Sequence, residues 1–397
     1  MIPVHRQRFN RAFSQARYAT FVAELEKRCG VPIEFRLSET PCFVPASLMA
    51  RLVAAAHELI DQLLLDRPDY LMAADAVVPP AFRLAAGESK PTFIQVDFGL
   101  LETPAGIEGR LVELQAFPSL YGFQVRLAEQ AQAVYGFPEL TPYLDGLDTE
   151  AYVRAVGRAI VGTHDPAEVV LLEIDPERQK TRPDFEVTEQ LWGVRAIDVT
   201  SVEQRGRRLF AREDGRLTPI SRIYNRVIPD ELVRRGLTLP FDPASDVEVE
   251  WAGGPDWFFR LSKFSLPWLR HPWVPKTSYL DDMPSPPSDR DNWLLKPLFS
   301  FAGGGIVFSP TDADLAAIPE ASRHDYILQE RVRFTPLIDT PHGMTQVELR
   351  IMMIREGDSY RAVLPLARMG RGKMMGVDHN KGLSWVGAAA VLIDPEQ

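Results

Sequence analysis

The segment "NWLLKPLFSFAGGGIVF", residues 292–308, allows two structural interpretations, and the choice between them decides the fold. An apolar run ends on Lys296, and three glycines, Gly303, Gly304 and Gly305, then precede a second β-rich run. One interpretation is a glycine hairpin with a lysine on its rim. The other is a flexible flap whose backbone N–H groups close over phosphates while the lysine neutralises them. Three glycines alone do not decide between the two, so the surrounding sequence has to.

Composition and charge narrow the class of protein. The chain has 397 residues, which predicts two to three domains, and its 45% hydrophobic and 25% charged residues are typical of a globular protein. The net charge of −10 argues against nucleic acid or an anionic membrane as the main partner. No apolar run reaches the roughly 18 residues that span a bilayer. Two cysteines, Cys29 and Cys42, form neither a disulfide framework nor a zinc site, so we expect a cytoplasmic protein of undetermined oligomeric state.

Hydrophobic periodicity predicts the order of elements. Apolar spacing of three and four predicts helices over 9–29 and 46–65, and "PTFIQVDFGL" (91–100) and "GRLVELQAF" (109–117) predict two strands joined by a turn. A strand–helix–strand order between 167 and 200 predicts a small parallel α/β lobe. The expected domains are N-terminal helices with early strands (1–160), an α/β substrate lobe (161–270), a lid lobe (271–335) and closing strands (336–397).

Basic and polar residues of the last third form the outline of a polyphosphate site. "YILQERV" (326–332) is an apolar strand that turns polar at Gln329 and Glu330, a pattern that can flank a purine ring and accept from its amino group. A second lysine, Lys276, precedes a Pro/Ser linker, and "ARMGRGKMMGVDHNKG" (367–382) is basic and punctuated by glycine. Two lysines on either side of a flexible lobe, with arginines below, are suited to hold phosphates.

Oxygen-bearing side chains on the early strands suggest a metal site. In "VDFGLLETPAGIEGRLVELQAF" (96–117), Asp97 lies on one strand, while Glu113 and Gln115 are two residues apart on the next and therefore face the same side. Magnesium prefers such hard oxygen ligands. The alternative is the exposed polar face of a hairpin.

In their joint order, these motifs resemble those of ATP-grasp ligases in the circularly permuted form found in eukaryotic-type glutathione synthetase and glutathionylspermidine synthase. The metal strands come early, and the lysine, the glycine lid and the adenine hinge come late. "PKTSYL" resembles the first ATP lysine, and "SRIYNRVIPDEL" resembles the strand and arginine that reach the substrate. The resemblance covers about residues 90–397.

The resemblance implies a mixed α+β and α/β architecture: a circularly permuted ATP-grasp fold with a small parallel α/β substrate lobe and a glycine-flap lid lobe. It implies an ATP- and magnesium-dependent ligase that joins a small carboxylate and an amine through an acyl phosphate. It also predicts that the strands of Glu113 and Glu348 lie in one antiparallel sheet. The implied roles are phosphate binding by Lys276, Lys296 and Gly303–Gly305, adenine binding by Gln329, Glu330 and Val332, magnesium binding by Asp97, Glu113 and Gln115, carboxylate or acyl phosphate binding by Arg226, Arg350 and Arg368, and either ATP or substrate binding by Lys373.

Three positions depart from the pattern of those families. Gln115 stands where they place asparagine, Ser300 where the synthetase has a metal-binding lid glutamate, and Gln95 where they have a substrate arginine. The departures keep open a nucleotide-binding protein without ligase activity, or a scaffold or regulatory protein of the same fold. Other basic residues are interpreted as ordinary surface groups: Arg222, Arg371 and Lys381. For Gln179 and Arg182, a plain surface turn and a helix N-terminus that binds an anionic substrate group are equally favoured.

Overall fold

The computed structural model describes residues 1–283, 285–300, 303–373, 375, 380 and 382–396. Residues 301 and 302 of the predicted flap, and Lys381, lie outside the described residues. The α-helices are α1 (Pro3–Ala12), α2 (Gln15–Cys29), α3 (Ala46–Leu64), α4 (Pro68–Ala76), α5 (Tyr121–Tyr135), α6 (Thr149–Val161), α7 (Arg182–Trp192), α8 (Pro229–Arg234), α9 (Trp257–Arg260) and α10 (Asp312–Ala316). The strands are β1 (Cys42–Pro45), β2 (Phe93–Thr103), β3 (Gly106–Gln115), β4 (Val169–Glu173), β5 (Arg195–Asp198), β6 (Val202–Arg205), β7 (Arg208–Glu213), β8 (Arg216–Ile220), β9 (Arg222–Asn225), β10 (Glu250–Ala252), β11 (Thr277–Tyr279), β12 (Trp293–Pro297), β13 (Val307–Phe308), β14 (Tyr326–Glu330), β15 (Gln346–Glu356), β16 (Ser359–Gly370) and β17 (Gly387–Asp394). No helix in these ranges is long and apolar enough to cross a membrane.

A six-stranded sheet joins the early and late parts of the chain. Its order is β1-β17-β16-β15-β2-β3, and all neighbours are antiparallel except β1 and β17. The predicted sharing of one sheet by Glu113 and Glu348 is therefore confirmed. Helix α3 covers one face of this sheet because its apolar stripe, with Leu52 and Leu59, packs with sheet residues such as Val96 and Phe98 in one core.

A second sheet is entirely parallel, with the order β10-β9-β4-β5, as the strand–helix–strand pattern predicts. Its central strand β4 reads Val-Val-Leu-Leu-Glu and is buried throughout, as expected for a strand covered on both faces. The carboxyl ends of parallel strands meet at one edge of a sheet, where ligands commonly bind. Glu173 ends β4 at this edge, and Arg226 directly follows the neighbouring strand β9.

A third, antiparallel sheet has the order β11-β14-β12-β13. Lys296 on β12 lies opposite Ile327 of β14, and Leu294 lies opposite Gln329. Lys296 and Gln329 are thus diagonal neighbours across the strand pair, close enough for long side chains to meet.

Two parts of the chain differ from the sequence predictions. The helix predicted over 9–29 is two helices, because the chain is extended at Phe13 and the Ser14 side chain caps α2 by accepting from the backbone N–H of Arg17. A three-stranded antiparallel meander, β6-β7-β8, was not predicted at all. Its signal is the Asp214–Gly215 turn between β7 and β8, where both residues have a positive φ.

Candidate functional site

A cavity of about 460 Å³ lies among the three sheets and receives side chains from each of them. Ten of the predicted site residues line it: Glu113, Gln115, Arg226, Lys296, Gly303, Gln329, Val332, Arg350, Arg368 and Lys373. Five do not: Asp97, Lys276, Gly304, Gly305 and Glu330. The charged residues of the lining are Lys180, Arg226, Lys263, Lys296, Arg331, Arg350, Arg368, Lys373, Glu113, Glu173, Glu231 and Glu348.

Lys296 and Gln329 form the buried centre of the lysine end, by which we mean the part of the cavity lined by Lys263, Lys296, Gly303, Gln329, Arg368 and Lys373. Lys296 Nζ donates to Gln329 Oε1 at 2.5 Å. Burial lowers the pKa of Lys296 to about 8, although the Glu113 carboxylate acts in the opposite direction. Gln329 Nε2 is buried without a hydrogen-bond partner among the described residues, so a donor remains available to a ligand.

A lysine that the sequence motifs did not single out lies beside Lys296. Lys263 begins a 3₁₀ segment (Lys263–Trp268), is 5% exposed and donates to the Ser300 carbonyl at 2.6 Å. Its only sequence signal is a lysine within the apolar run "RLSKFSLPWL". Lys276 is exposed at the edge of the antiparallel sheet, where its carbonyl accepts from the Glu330 N–H at 2.8 Å. The structure therefore places Lys263, and not Lys276, in one cavity with Lys296.

Arg350 is held by the acids and amides of neighbouring strands. It lies opposite Asp97 in the β15–β2 pairing, and its Nε and Nη2 each donate to an Asp97 oxygen at 2.6 Å. Its Nη1 donates to Gln95 Oε1 at 2.7 Å, and Gln115 accepts from Nη2 at 2.8 Å when its amide oxygen faces the guanidinium. Such bidentate pairing in a buried place is strong and fixes the guanidinium plane.

Arg368 completes the network below the cavity. Its Nη1 donates to Glu348 Oε1 at 2.8 Å, directly across the β15–β16 pairing, and its Nη2 donates to Asp97 at 3.1 Å. Burial by itself would raise the pKa of Asp97, but the guanidinium groups of Arg350 and Arg368 outweigh it and hold that pKa below its usual value. Arg368 keeps a quarter of its side chain exposed to the cavity, at 23%, so it can also reach a ligand.

The three residues predicted to bind magnesium do not form a shell of available oxygens. Both Asp97 oxygens accept from arginines, and the Gln115 oxygen faces Arg350. Only Glu113 keeps its carboxylate outside hydrogen-bonding distance of a cation, with Oε1 at 3.8 Å from Lys263 Nζ. Within the described ranges, no group of three or more His, Cys, Asp or Glu side chains is arranged to hold a metal. As arranged, the predicted set does not fit a magnesium shell.

At the edge of the parallel sheet, Arg226 defines what we call the arginine end of the cavity, lined also by Glu173 and Gln179. Arg226 is 2% exposed and forms a buried ion pair with Asp184 of α7. Asp184 also accepts from the backbone N–H groups of Gly122 and Phe123 at 2.8 and 2.9 Å, which fixes the start of α5. Arg226 Nε has no hydrogen-bond partner in the described part of the chain.

Glu173 is the buried acid of the arginine end. Burial raises its pKa to about 8, and the nearby Arg226 acts against that rise. Gln179, interpreted from sequence as either a ligand group or a surface residue, lines the cavity and donates to the Ile174 carbonyl at 2.8 Å. Arg182 does not line it and pairs instead with Glu177 and Glu186. The signal for Glu173 was its position at the end of a buried parallel strand.

Comparison with known proteins supports the fold class. No protein-family profile matches this sequence, and no curated protein matches it. Together, the sheets and the cavity define a mixed α+β protein with a glutathione synthetase-like fold. One solved structure that shows this similarity is a glutathione synthetase-like effector from Globodera pallida in its apo form. The two share 11% identity over 95% of this chain and 96% of that chain, with a TM-score of 0.58, so the likeness concerns the fold.

Proposed function

We propose that this chain is an ATP-dependent carboxylate–amine ligase built on a circularly permuted ATP-grasp fold. The observation that carries the proposal is that the lysine end and the arginine end belong to one cavity. We assign the nucleotide to the lysine end, called the nucleotide end from here on, and the acceptor to the arginine end, called the acceptor end. A ligase of this class needs ATP and an acceptor carboxylate side by side, because the phosphoryl group passes directly from one to the other.

Charged groups at the nucleotide end are suited to a triphosphate. Lys263 and Lys296 are both buried, and Arg368 and Lys373 also line this end. Cations held in a water-poor cavity stabilise the charge that develops on a transferring phosphoryl group more strongly than they would in water. Gln329, with its amide oxygen bonded to Lys296, presents its amide donors to the base.

The proposed reaction has two displacements. A carboxylate oxygen of the acceptor attacks the γ-phosphorus, the bond to the β-phosphate oxygen breaks, and ADP leaves. An amine then attacks the acyl carbon, inorganic phosphate leaves with the bonding electrons, and the proton lost by the amine nitrogen is taken up by the leaving phosphate as the amide forms. Arg226 at the acceptor end would orient the carboxylate, and Arg368 would stabilise the acyl phosphate.

ADP release tests the proposal. The protein is incubated with ATP, magnesium and a mixed pool of amino acids and amines, and ADP is measured by chromatography. We expect ADP to form only when both an acid and an amine are present, and to fall at least about tenfold in Lys296→Met, which removes the ammonium but keeps the length of the side chain. Lys27→Met, on the exposed face of α2, is the matched control and should match the wild type.

A second candidate is a nucleotide-binding protein without ligase activity. It is favoured by the commitment of Asp97 and Gln115 to Arg350, which leaves two of the three predicted metal ligands without free oxygens. ATP binding by calorimetry, combined with no ADP release on any acid–amine pair, would support this candidate over the ligase.

A further inference from the structure

The charge balance of the cavity differs from that of the chain. The chain has a net charge of −10, yet the described lining of the cavity carries eight Lys or Arg residues and four Glu residues. Counting also Asp97 and Asp184, the buried acids that pair with lining arginines, the balance is eight cations to six acids. A net positive cavity with low-dielectric walls attracts a polyanion and repels a metal cation.

The acids at the nucleotide end are already neutralised by protein cations. Asp97 is bonded to Arg350 and Arg368, and Glu348 is bonded to Arg368. A metal ion that took up these oxygens would have to displace buried guanidinium groups from charge-assisted hydrogen bonds, and would leave those groups unpaired.

The remaining acid, Glu113, lies next to an ammonium group. Lys263 Nζ is 3.8 Å from Glu113 Oε1 and donates to the Ser300 carbonyl oxygen at 2.6 Å, so it lies between the acid and the residue that precedes the glycine segment. This ammonium occupies the space where a cation bound by Glu113 and this loop would sit. Lys296 is close enough to both Glu113 and Lys263 for their charges to influence its pKa.

From this arrangement we infer that the cavity binds the triphosphate group of its nucleotide as the metal-free anion, with Lys263, Lys296 and Arg368 in the place of magnesium. The inference rests on the proposed nucleotide site and concerns how its phosphates are neutralised. Metal-free ATP carries two more negative charges than its magnesium complex, and a net positive cavity favours the more anionic form.

Titration calorimetry on the full chain tests this, with inorganic tripolyphosphate and ATP as separate probes. Each probe is titrated in EDTA and in magnesium at matched ionic strength. We expect tripolyphosphate to bind at least as tightly in EDTA as in magnesium, because the metal-free form carries more negative charge. A Kd at least about tenfold weaker in EDTA would overturn the inference, since magnesium would then supply the attraction.

Two variants identify the groups responsible. Lys263→Met should weaken metal-free tripolyphosphate binding by about tenfold or more, and Lys373→Met, an exposed lining residue whose loss should not disturb folding, by about threefold. Glu113→Gln should tighten metal-free binding, because it removes a like charge; a loss of binding seen only in magnesium would overturn the inference. Lys27→Met is again the exposed control.

The two probes separate this inference from the proposed function. Metal-free binding of tripolyphosphate without binding of ATP would support the neutralisation of a metal-free polyphosphate by these cations and contradict the nucleotide as its source. Binding of ATP only in magnesium would support the nucleotide site and overturn the inference. If neither probe bound under either condition, both would be overturned.

Discussion

At the scale of single residues, Asp97 illustrates how cross-strand pairing changes what a side chain can do. Its sequence position, on a strand beside Glu113, favours a metal ligand. The register of β15 against β2 places Arg350 directly opposite, and that register depends on strands about 250 residues apart in the chain. No local pattern reveals such a partner. Asp97 is therefore better described as the anchor of two arginines.

We expect Asp97→Asn to lower the free energy of unfolding by about 3–5 kcal/mol, because it leaves Arg350 and Arg368 buried without a countercharge. Glu113→Gln, whose carboxylate is half-buried and only loosely paired, should change that free energy by about 1 kcal/mol or less. Urea unfolding followed by circular dichroism gives both values. If Asp97→Asn kept wild-type stability but lost magnesium binding, Asp97 would be a metal ligand and not the anchor of the two arginines.

Lys296 was recognised from sequence, but its chemistry depends on burial. Because burial brings its pKa down to about 8, the ammonium loses its proton at a pH where an exposed lysine keeps it. We expect nucleotide affinity to fall as the pH rises through about 8 toward 9, since the neutral amine attracts phosphate less strongly.

Calorimetry at constant ionic strength between pH 7 and pH 9 measures this decline. In Lys296→Met, binding should be weaker throughout and its slope above pH 8 should be reduced. An equally steep decline in that variant would assign the titration to another group.

At the scale of elements, sequence periodicity predicted the helices and strands that face a core on one side. The helix over 46–65 and the strands of 91–117 match α3, β2 and β3 because their apolar spacing follows the burial. The β6-β7-β8 meander was missed because its short strands are polar and half-exposed. Lys263 was missed for a related reason: a 3₁₀ segment has no periodicity that marks which side chain turns inward.

The glycine turn (residues 303–305) is the element whose behaviour decides between flap and hairpin. Gly303 and Gly305 have φ values of 76° and 71°, and a Cβ on Gly305 would lie 2.8 Å from Pro297 Cγ. Both the conformation and this close approach require glycine at 305.

Amide hydrogen exchange over residues 303–308 should slow when ATP is added, because the backbone N–H groups would then donate to phosphate oxygens. The amides of the β6-β7-β8 meander, outside the cavity, should be unaffected and provide an internal control. Equal exchange at 303–308 with and without saturating ATP would favour the plain hairpin.

At the scale of the whole molecule, the order of motifs predicted that distant segments meet, but not which groups hold them together. Asp184 is one such group. It lies on α7 beside the parallel sheet, binds Arg226 at the end of β9, and caps α5, which packs against β17 of the six-stranded sheet. One carboxylate thereby connects the acceptor end with the six-stranded sheet, which carries Arg368 of the nucleotide end. The sequence has no local signal for this role.

Asp184→Asn should therefore destabilise the molecule more than it alters nucleotide binding. The change leaves Arg226 buried without a countercharge, so we expect the free energy of unfolding to fall by about 3–5 kcal/mol. Glu186→Gln, on the same helix, removes only the partly exposed pair with Arg182 and should change it by about 1 kcal/mol or less. Adding Arg226→Met to Asp184→Asn should recover part of the loss, because the unpaired charge is then gone. Additive losses in the double variant, measured by urea unfolding, would show that the pair does not couple the two sheets.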